Sequence, residues 1–254
     1  MKYIDLNCDM GELPEAVKDG TQMAIMRSLT SINIACGGHA GSPKMMRVTV
    51  GQAVRYKLAI GAHPGYPDPA NFGRLELDLP LNLTADTVFQ QVFALAQTAV
   101  GFGILLTHVK PHGALYNQAV HNRDLARAIA QGVNRWSNSV TLVGLAGSPM
   151  LDVFREAGFA VAAEAFVDRR YESDGTLRSR KHSDALIHDP EEAARQALSI
   201  VDRGLVRAHD GREVAVNAQT LCIHGDTPGA AQIATAVARA LREAGIALRP
   251  FRSE

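Results

Sequence analysis

"LLTHVKPHGALYN", residues 105–117, joins an apolar run to three basic side chains. Its reading decides the fold. The apolar stretch from Ile104 to Val109 predicts a buried strand, and Pro111 and Gly113 predict its end. Side chains alternate between the two faces of a strand. His108, Lys110 and His112 therefore share a face. Parallel strands covered by helices are apolar on both faces, so polar groups at such a strand end need a reason. The C-terminal rim of a (β/α) barrel supplies one, because active sites collect there.

The same pattern recurs along the chain. "IACGGHAG" (34–41) ends in His39, "IGAHPGYPD" (60–68) carries His63, "EAFVDRRY" (164–171) carries Asp168 and Arg169, and "LCIHGDTPG" (221–229) carries His224 and Asp226. In the first segment Asp5, Asn7 and Asp9 share one face, while Ile4, Leu6 and Cys8 share the other. Strands are expected at 2–8, 31–36, 58–63, 104–109, 141–146, 160–167 and 220–225. Amphipathic helices are expected at 42–57, 84–100, 122–136, 189–204 and 227–245. Ser42-Pro43, Ser148-Pro149 and Asp189-Pro190 place a capping residue before a first-turn proline. Gly204 and Gly245 suit helix stops. The β-α alternation predicts a parallel sheet. About seven strands predict an α/β fold of the TIM-barrel-like (β/α) type, one domain over residues 1–254. An open doubly wound sheet is the runner-up. Asp210-Gly211 predicts a β-hairpin insertion within 206–216. The polar excursion 168–184 is too charged for core and has a length typical of functional or disordered loops.

Composition narrows the function classes. The 254 residues include 46% hydrophobic and 20% charged side chains, with zero formal net charge. That balance favours neither nucleic acid nor an anionic membrane as partner, and it does little to oppose homo-oligomerisation. Three cysteines at irregular spacing do not make a disulfide framework. No signal-peptide core opens the chain, and no apolar run reaches the roughly 20 residues of a membrane span. A cytoplasmic protein is expected.

Two chemistries fit the strand-end residues. Carboxylates and neutral imidazoles bind a divalent metal and activate water. The same groups act as general acids and bases without a metal, with Lys110 stabilising an oxyanion. No HExxH spacing assigns a metal, so its identity stays open. "GLAGSPM" (144–150) offers free N–H groups at a helix start to an anion. There is no P-loop, and no GxSxG elbow for a serine hydrolase.

The segments "DLNCDMGE", "NIACGGHAG", "GAHPGYPD" with "FGR", "HVKPHGALYN", "DRRYESDGTLRSR" and "HGDTPGA" resemble the LamB/YcsF family, in order and over nearly the whole chain. The resemblance implies a barrel akin to the glycoside hydrolase/deacetylase group. It implies ATP-dependent opening of 5-oxoproline to L-glutamate, with Mg accompanying the ATP, in a complex with 5-oxoprolinase subunits B and C. Under that activity, Asp9 or Glu12 is expected to activate water, and Lys110 to face the carbonyl oxygen or phosphate. His39, His63 and His112 are expected to move protons or hold a metal. Arg169 or Arg180 is expected to clamp the substrate carboxylate. Asn7, Arg74, Asn117, Asp168, His224 and Asp226 complete the expected substrate wall. His108, deeper in its strand, is expected to support Lys110 and His112. The family pattern is broken after Glu12 by "LPEAVKDG", and at Gly38, where the family carries an aromatic residue; Gly38 is expected to widen the pocket beside His39. The alternatives are a metal-dependent deacetylase or carbohydrate hydrolase on the same barrel, or a non-catalytic substrate-binding subunit.

Overall fold

The structure, a computed structural model, describes residues 2–251. In chain order the strands are β1 (Tyr3–Met10), β2 (Ser31–Ala35), β3 (Ala59–His63), β4 (His108–Val109), β5 (Thr141–Leu145), β6 (Ala160–Phe166), β7 (Leu205–Arg207), β8 (Glu213–Ala215), β9 (Thr220–Ile223) and β10 (Ala247–Leu248). Strands β1 to β6 pair with their successors, all parallel. β6 pairs with β9, and β9 pairs with β1 through Asp5↔Thr220 to Cys8↔Ile223. Seven parallel strands thus close into a barrel, as the alternation predicts. β10 adds a short pairing at Tyr3 and Ile4.

Helices wrap the barrel: α1 (Pro14–Lys18), α2 (Thr21–Met26), α3 (Pro43–Tyr56), α4 (Leu81–Val100), α5 (Gly113–His121), α6 (Arg123–Asn134), α7 (Pro149–Glu156), α8 (Pro190–Leu198) and α9 (Ala230–Glu243). The predicted caps form at α3, where Ser42 accepts from the Met45 N–H, and at α8, where Asp189 accepts from the Glu191 N–H. Ser148 behaves otherwise. Its N–H and hydroxyl both donate to the Leu145 carbonyl, so neither is offered to an anion at 144–150. Gly204 and Gly245 adopt positive φ; Gly245 follows the end of α9, and Gly204 ends the π-helical stretch Ser199–Arg203 that continues α8.

The hydrophobic core lies between the barrel wall and the helices. Leu6, Cys8, Ile32, Ile34, Ile60, Ala62, Leu142 and Leu221 are fully or almost fully buried in it. They pack in one core with helical Val50, Val92, Leu95, Ile129, Val133, Ile233 and Val237. Each such Val, Leu or Ile contributes about 1.5–3 kcal/mol by leaving water. The lumen is different. Asp5, Asn7, Asn33, His108, Glu164 and Thr220 fill it and are essentially inaccessible. Polar groups survive there because they bond to one another. Asp5 accepts from Thr30, Ser31 and Thr220; Asn7 donates to Glu164 and Thr220; Asn33 donates to Asn7 and Asp9.

Several expectations are corrected. The strand expected at 104–109 is regular only at His108–Val109, and Leu105 is 75% exposed. The chain reaches the barrel late, after the turns at Gly101 and Gly103, and begins to pair with β3 only at Thr107, whose N–H donates to Ile60. After Pro111 the chain enters α5 directly at Gly113, a helix absent from the expected ones. α4 starts at Leu81, and Thr84 lies inside it with its hydroxyl on the Pro80 carbonyl. The hairpin forms as β7–β8, antiparallel. The excursion 168–184 is ordered around Tyr171, which is fully buried and accepts the Phe166 N–H at its hydroxyl oxygen.

Candidate active site

The C-terminal end of the barrel brings Asp9, Glu12, His39, His63, Lys110 and His112 together, each less than a tenth exposed. Asp9 lies at the end of β1, His63 ends β3, and Lys110 follows β4 directly. Lys110 Nζ lies 3.0 Å from Asp9 Oδ1, 2.8 Å from Glu164 Oε1 and 3.1 Å from Cys222 Sγ. Burial opposes its charge, but Asp9, Cys222 and Glu164 overcome that and push the ammonium well above its usual pKa. Burial likewise opposes Asp9, yet His63 and Lys110 hold its carboxyl well below the usual range. This is an ionised pair inside the protein.

A second group surrounds Glu12. Its Oε1 lies 2.9 Å from His39 Nε2 and 3.2 Å from His112 Nδ1. His39 and His112 stack at 3.5 Å with planes 3° apart. Burial pushes His39 down to about 4 and also lowers His112, so both rings are held toward the neutral form. Burial disfavours ionised Glu12 too, but the His112 and His39 rings beside it keep its carboxyl well below the usual range. His63 Nδ1 lies 2.8 Å from the Lys110 carbonyl, and its Nε2 lies 3.2 Å from Asp9 Oδ2. His39 Nδ1 is buried without a hydrogen-bond partner.

Glycines let the loop after β3 close over these rings. A Cβ on Gly65 would lie 2.7 Å from His39 Nδ1, and one on Gly73, at φ +62°, would lie 2.6 Å from His39 Cβ. Gly38 does not widen the pocket. A Cβ there would lie 2.3 Å from Gln91 Oε1, and Gln91 fills the space while bonding the backbone N–H and carbonyl of Gly65. The amide in effect replaces the expected gap.

The remaining expected residues sit around this centre. Asn7 lies one layer deeper in the lumen, on Glu164 and Thr220. Asp168 is buried and accepts from the His224 N–H, the His224 ring and Thr227; despite burial, the His224 contacts hold it down at about 2. His224 in turn stacks on Phe166. Arg74 and Arg180 both bond Asp226 Oδ2. Arg169 is buried and donates to the Arg178 carbonyl; burial and Arg180 lower its guanidinium to about 10. Asn117 stands on the exposed side of α5 and is not brought into the cluster. His108 contacts Thr107 and Asn33 rather than Lys110 or His112, so its support reaches Lys110 through Asn33, by way of Asp9 or of Asn7 and Glu164.

Glu164 and Asn33 escaped the sequence reading. A lone glutamate in the alanine-rich strand "AVAAEAF" was the available signal, as was a lone asparagine in "SINIA".

Known proteins share this arrangement of motifs. A profile of the LamB/YcsF family matches residues 4–254. The A component of 5-oxoprolinase from Chloroflexus aggregans is 50% identical, over 98% of this chain and 99% of that protein. The corresponding 5-oxoprolinase component of Bacillus licheniformis is 45% identical, over 99% of each. The crystal structure of a lactam utilization protein from Thermus thermophilus superposes with a TM-score of 0.90 at 43% identity, covering 99% of this chain and 100% of that one. On sequence, fold and motif placement together, the chain belongs to the LamB/YcsF family.

Proposed function

We propose that this chain takes part in hydrolysis of the lactam of 5-oxoproline to L-glutamate, as the A component of a multi-subunit 5-oxoprolinase. The observation that carries it is the buried Asp9–Lys110–Glu164 group beside Glu12 and three imidazoles. A lactam carbonyl is a weak electrophile. Its opening requires water to add at the carbonyl carbon, the ring C–N bond to break, and the leaving nitrogen to take a proton. Lys110 offers a fixed positive charge to the carbonyl oxygen. The imidazoles, His39 and His112 among them held toward neutrality, take the proton from water and return it to nitrogen. Asp9 and Glu12, held ionised, orient them; this shifts the expected base from the carboxylates to histidine. Arg74 and Arg180, already gathered on one carboxylate of Asp226, suit the carboxylate of 5-oxoproline, with Arg169 behind them.

ATP enters this reading through the family. Phosphoryl transfer from ATP to the lactam oxygen, with ADP leaving, would activate the carbonyl; after water adds and the ring C–N bond breaks, a second water would release phosphate from the resulting acyl phosphate, and subunits B and C complete the assembly. A cytoplasmic setting is part of the same proposal. No helix among the described residues is long and apolar enough to cross a membrane.

The test is glutamate formation from 5-oxoproline with ATP and the partner subunits. Asp9→Asn, Lys110→Met and His112→Ala are each expected to lower turnover by about 100-fold or more. Near wild-type turnover in all three, with folding intact, sinks the proposal. Turnover by this chain alone without ATP would favour a simple amidase or deacetylase instead.

A further inference from the structure

We propose that Glu12, His39, His63 and His112 form a binding site for one divalent cation of the first transition row, with zinc the best fit. One donor atom from each residue lies within 4.8 Å of the others, and all four residues are buried. That compactness suits a single ion: ligands 2.0–2.2 Å from a zinc ion are about 3–4.5 Å apart.

The decisive feature is the direction of the ring nitrogens. A carbonyl oxygen only accepts hydrogen bonds, so His63 Nδ1, 2.8 Å from the Lys110 carbonyl, carries a hydrogen. His112 Nε2, 2.9 Å from the Phe72 carbonyl, carries one for the same reason. In their neutral forms both rings therefore turn bare lone pairs inward. Those lone pairs meet: His63 Nε2 and His112 Nδ1 are 2.9 Å apart. The carboxylate oxygen of Glu12 stands 3.2 Å from His112 Nδ1 and 3.8 Å from His63 Nε2. Three acceptors pointing at one another repel unless something positive lies between them. Backbone carbonyls fixing the outer nitrogen of a ligand histidine are also the usual support of metal sites.

The charge balance points the same way. Asp9 and Glu164 share one ammonium, Lys110, while the carboxylate of Glu12 contacts the imidazoles of His39, His63 and His112, all in a region closed to solvent. A divalent ion offsets the remainder. Imidazole-rich donor sets favour zinc and its transition-metal neighbours over magnesium or calcium, which prefer oxygen. A second potential ligand group, Asp9, Cys222 and His224, is no rival, because the ammonium of Lys110 already contacts Asp9 and Cys222. Bound at the first group, the ion would occupy the inner ring nitrogens and so take over the activation of water from those imidazoles by its Lewis acidity, with Asp9 beside it; this last step rests on the function proposed above, whereas the binding itself does not.

The experiment uses the full chain, stripped with a chelator and titrated with zinc by calorimetry. Metal content of the untreated protein is measured in parallel. The expected result is about one equivalent per chain. His63→Ala and His112→Ala should each weaken binding at least about 100-fold. His63→Gln and His112→Gln replace them if circular dichroism shows a lost fold. His121→Ala and His182→Ala, at exposed positions, should bind as wild type. Cobalt substitution should give visible absorption of a four- or five-coordinate centre. Zinc uptake well below one equivalent, or equal affinity in the His63 and His112 variants, overturns the proposal. 5-Oxoproline turnover is assayed separately: zinc uptake without turnover leaves the site standing and counts against the function, and turnover without uptake does the reverse.

Discussion

Lys110 holds its ammonium 2.8 Å from Glu164, a residue 54 positions later on a different strand and fully buried in the barrel lumen. The partner on the other side, Asp9, comes from β1. The pair thus ties three strands at one point. Removing Glu164 leaves the buried ammonium on Asp9 alone, and losing a hydrogen bond to a charged group costs about 1.5–3 kcal/mol. Glu164→Ala is expected to lower stability by that order in urea unfolding, and Glu164→Gln by less, because an amide still accepts one hydrogen bond. Equal stability of Glu164→Ala and wild type would show that Asp9 alone satisfies the ammonium.

Asp5 gives a pH signature. Burial raises its carboxyl to about 6, against hydrogen bonds from Thr220, Thr30 and Ser31 that pull it down. A carboxyl with a raised folded pKa binds its proton more tightly in the folded state. Its contribution is fully present below the unfolded value near 4 and is lost as pH rises through about 6. Stability of the wild type relative to Asp5→Asn should therefore fall by about 3 kcal/mol between pH 4 and 7. Parallel profiles for the two proteins would rule this out.

Asp168 has the opposite sign. Its carboxyl sits at about 2, so its contribution is present above about 4 and is lost as pH falls through about 2. Asp168→Asn should remove that acid-side loss and free the His224 ring. Proton NMR of the imidazole reports the second effect.

Close backbone approach makes another prediction. A Cβ at Gly61 would lie 2.2 Å from the His108 ring. Gly61→Ala should destabilise by about 1–3 kcal/mol or more through overpacking. Gly73→Ala adds the strain of positive φ and presses on His39. It should lower turnover as well as melting temperature.

At the rim, Arg180→Ala should raise KM for 5-oxoproline about 10-fold or more and change kcat less, if it anchors the substrate carboxylate as proposed. An unchanged KM removes Arg180 from the substrate wall.

The barrel was legible in the sequence through its strand ends. Histidine beside glycine or proline after an apolar run located His39, His63 and His112, and period-2 alternation placed Asp5, Asn7 and Asp9 on one face. Alternation could not say that this face looks into a polar lumen, because barrel strands are usually apolar on both sides; Asn33 and Glu164 were hidden by that rule. The 104–109 strand was overestimated because apolar composition does not distinguish a wall residue from Leu105, which meets solvent. α5 was missed because Pro111 and Gly113 were read only as the end of a strand. Gly38 was misread because only the fold brings Gln91, 53 residues away, into the space it leaves.

The polar lumen also bears on how the chain assembles. Asp5, in the first strand, bonds Thr220, 215 residues further on, and Asn7 bonds Glu164 across 157. These side chains have no local substitutes. A fragment ending before Thr220 would strand Asp5 and Asn7 in a half-built interior without the hydroxyl both require. Contacts of such sequence separation slow folding, because the loop entropy is lost before the contact is gained. The ring closure between β1 and β9 is therefore the step on which the interior depends, and truncated half-barrels of this protein should not accumulate as stable species.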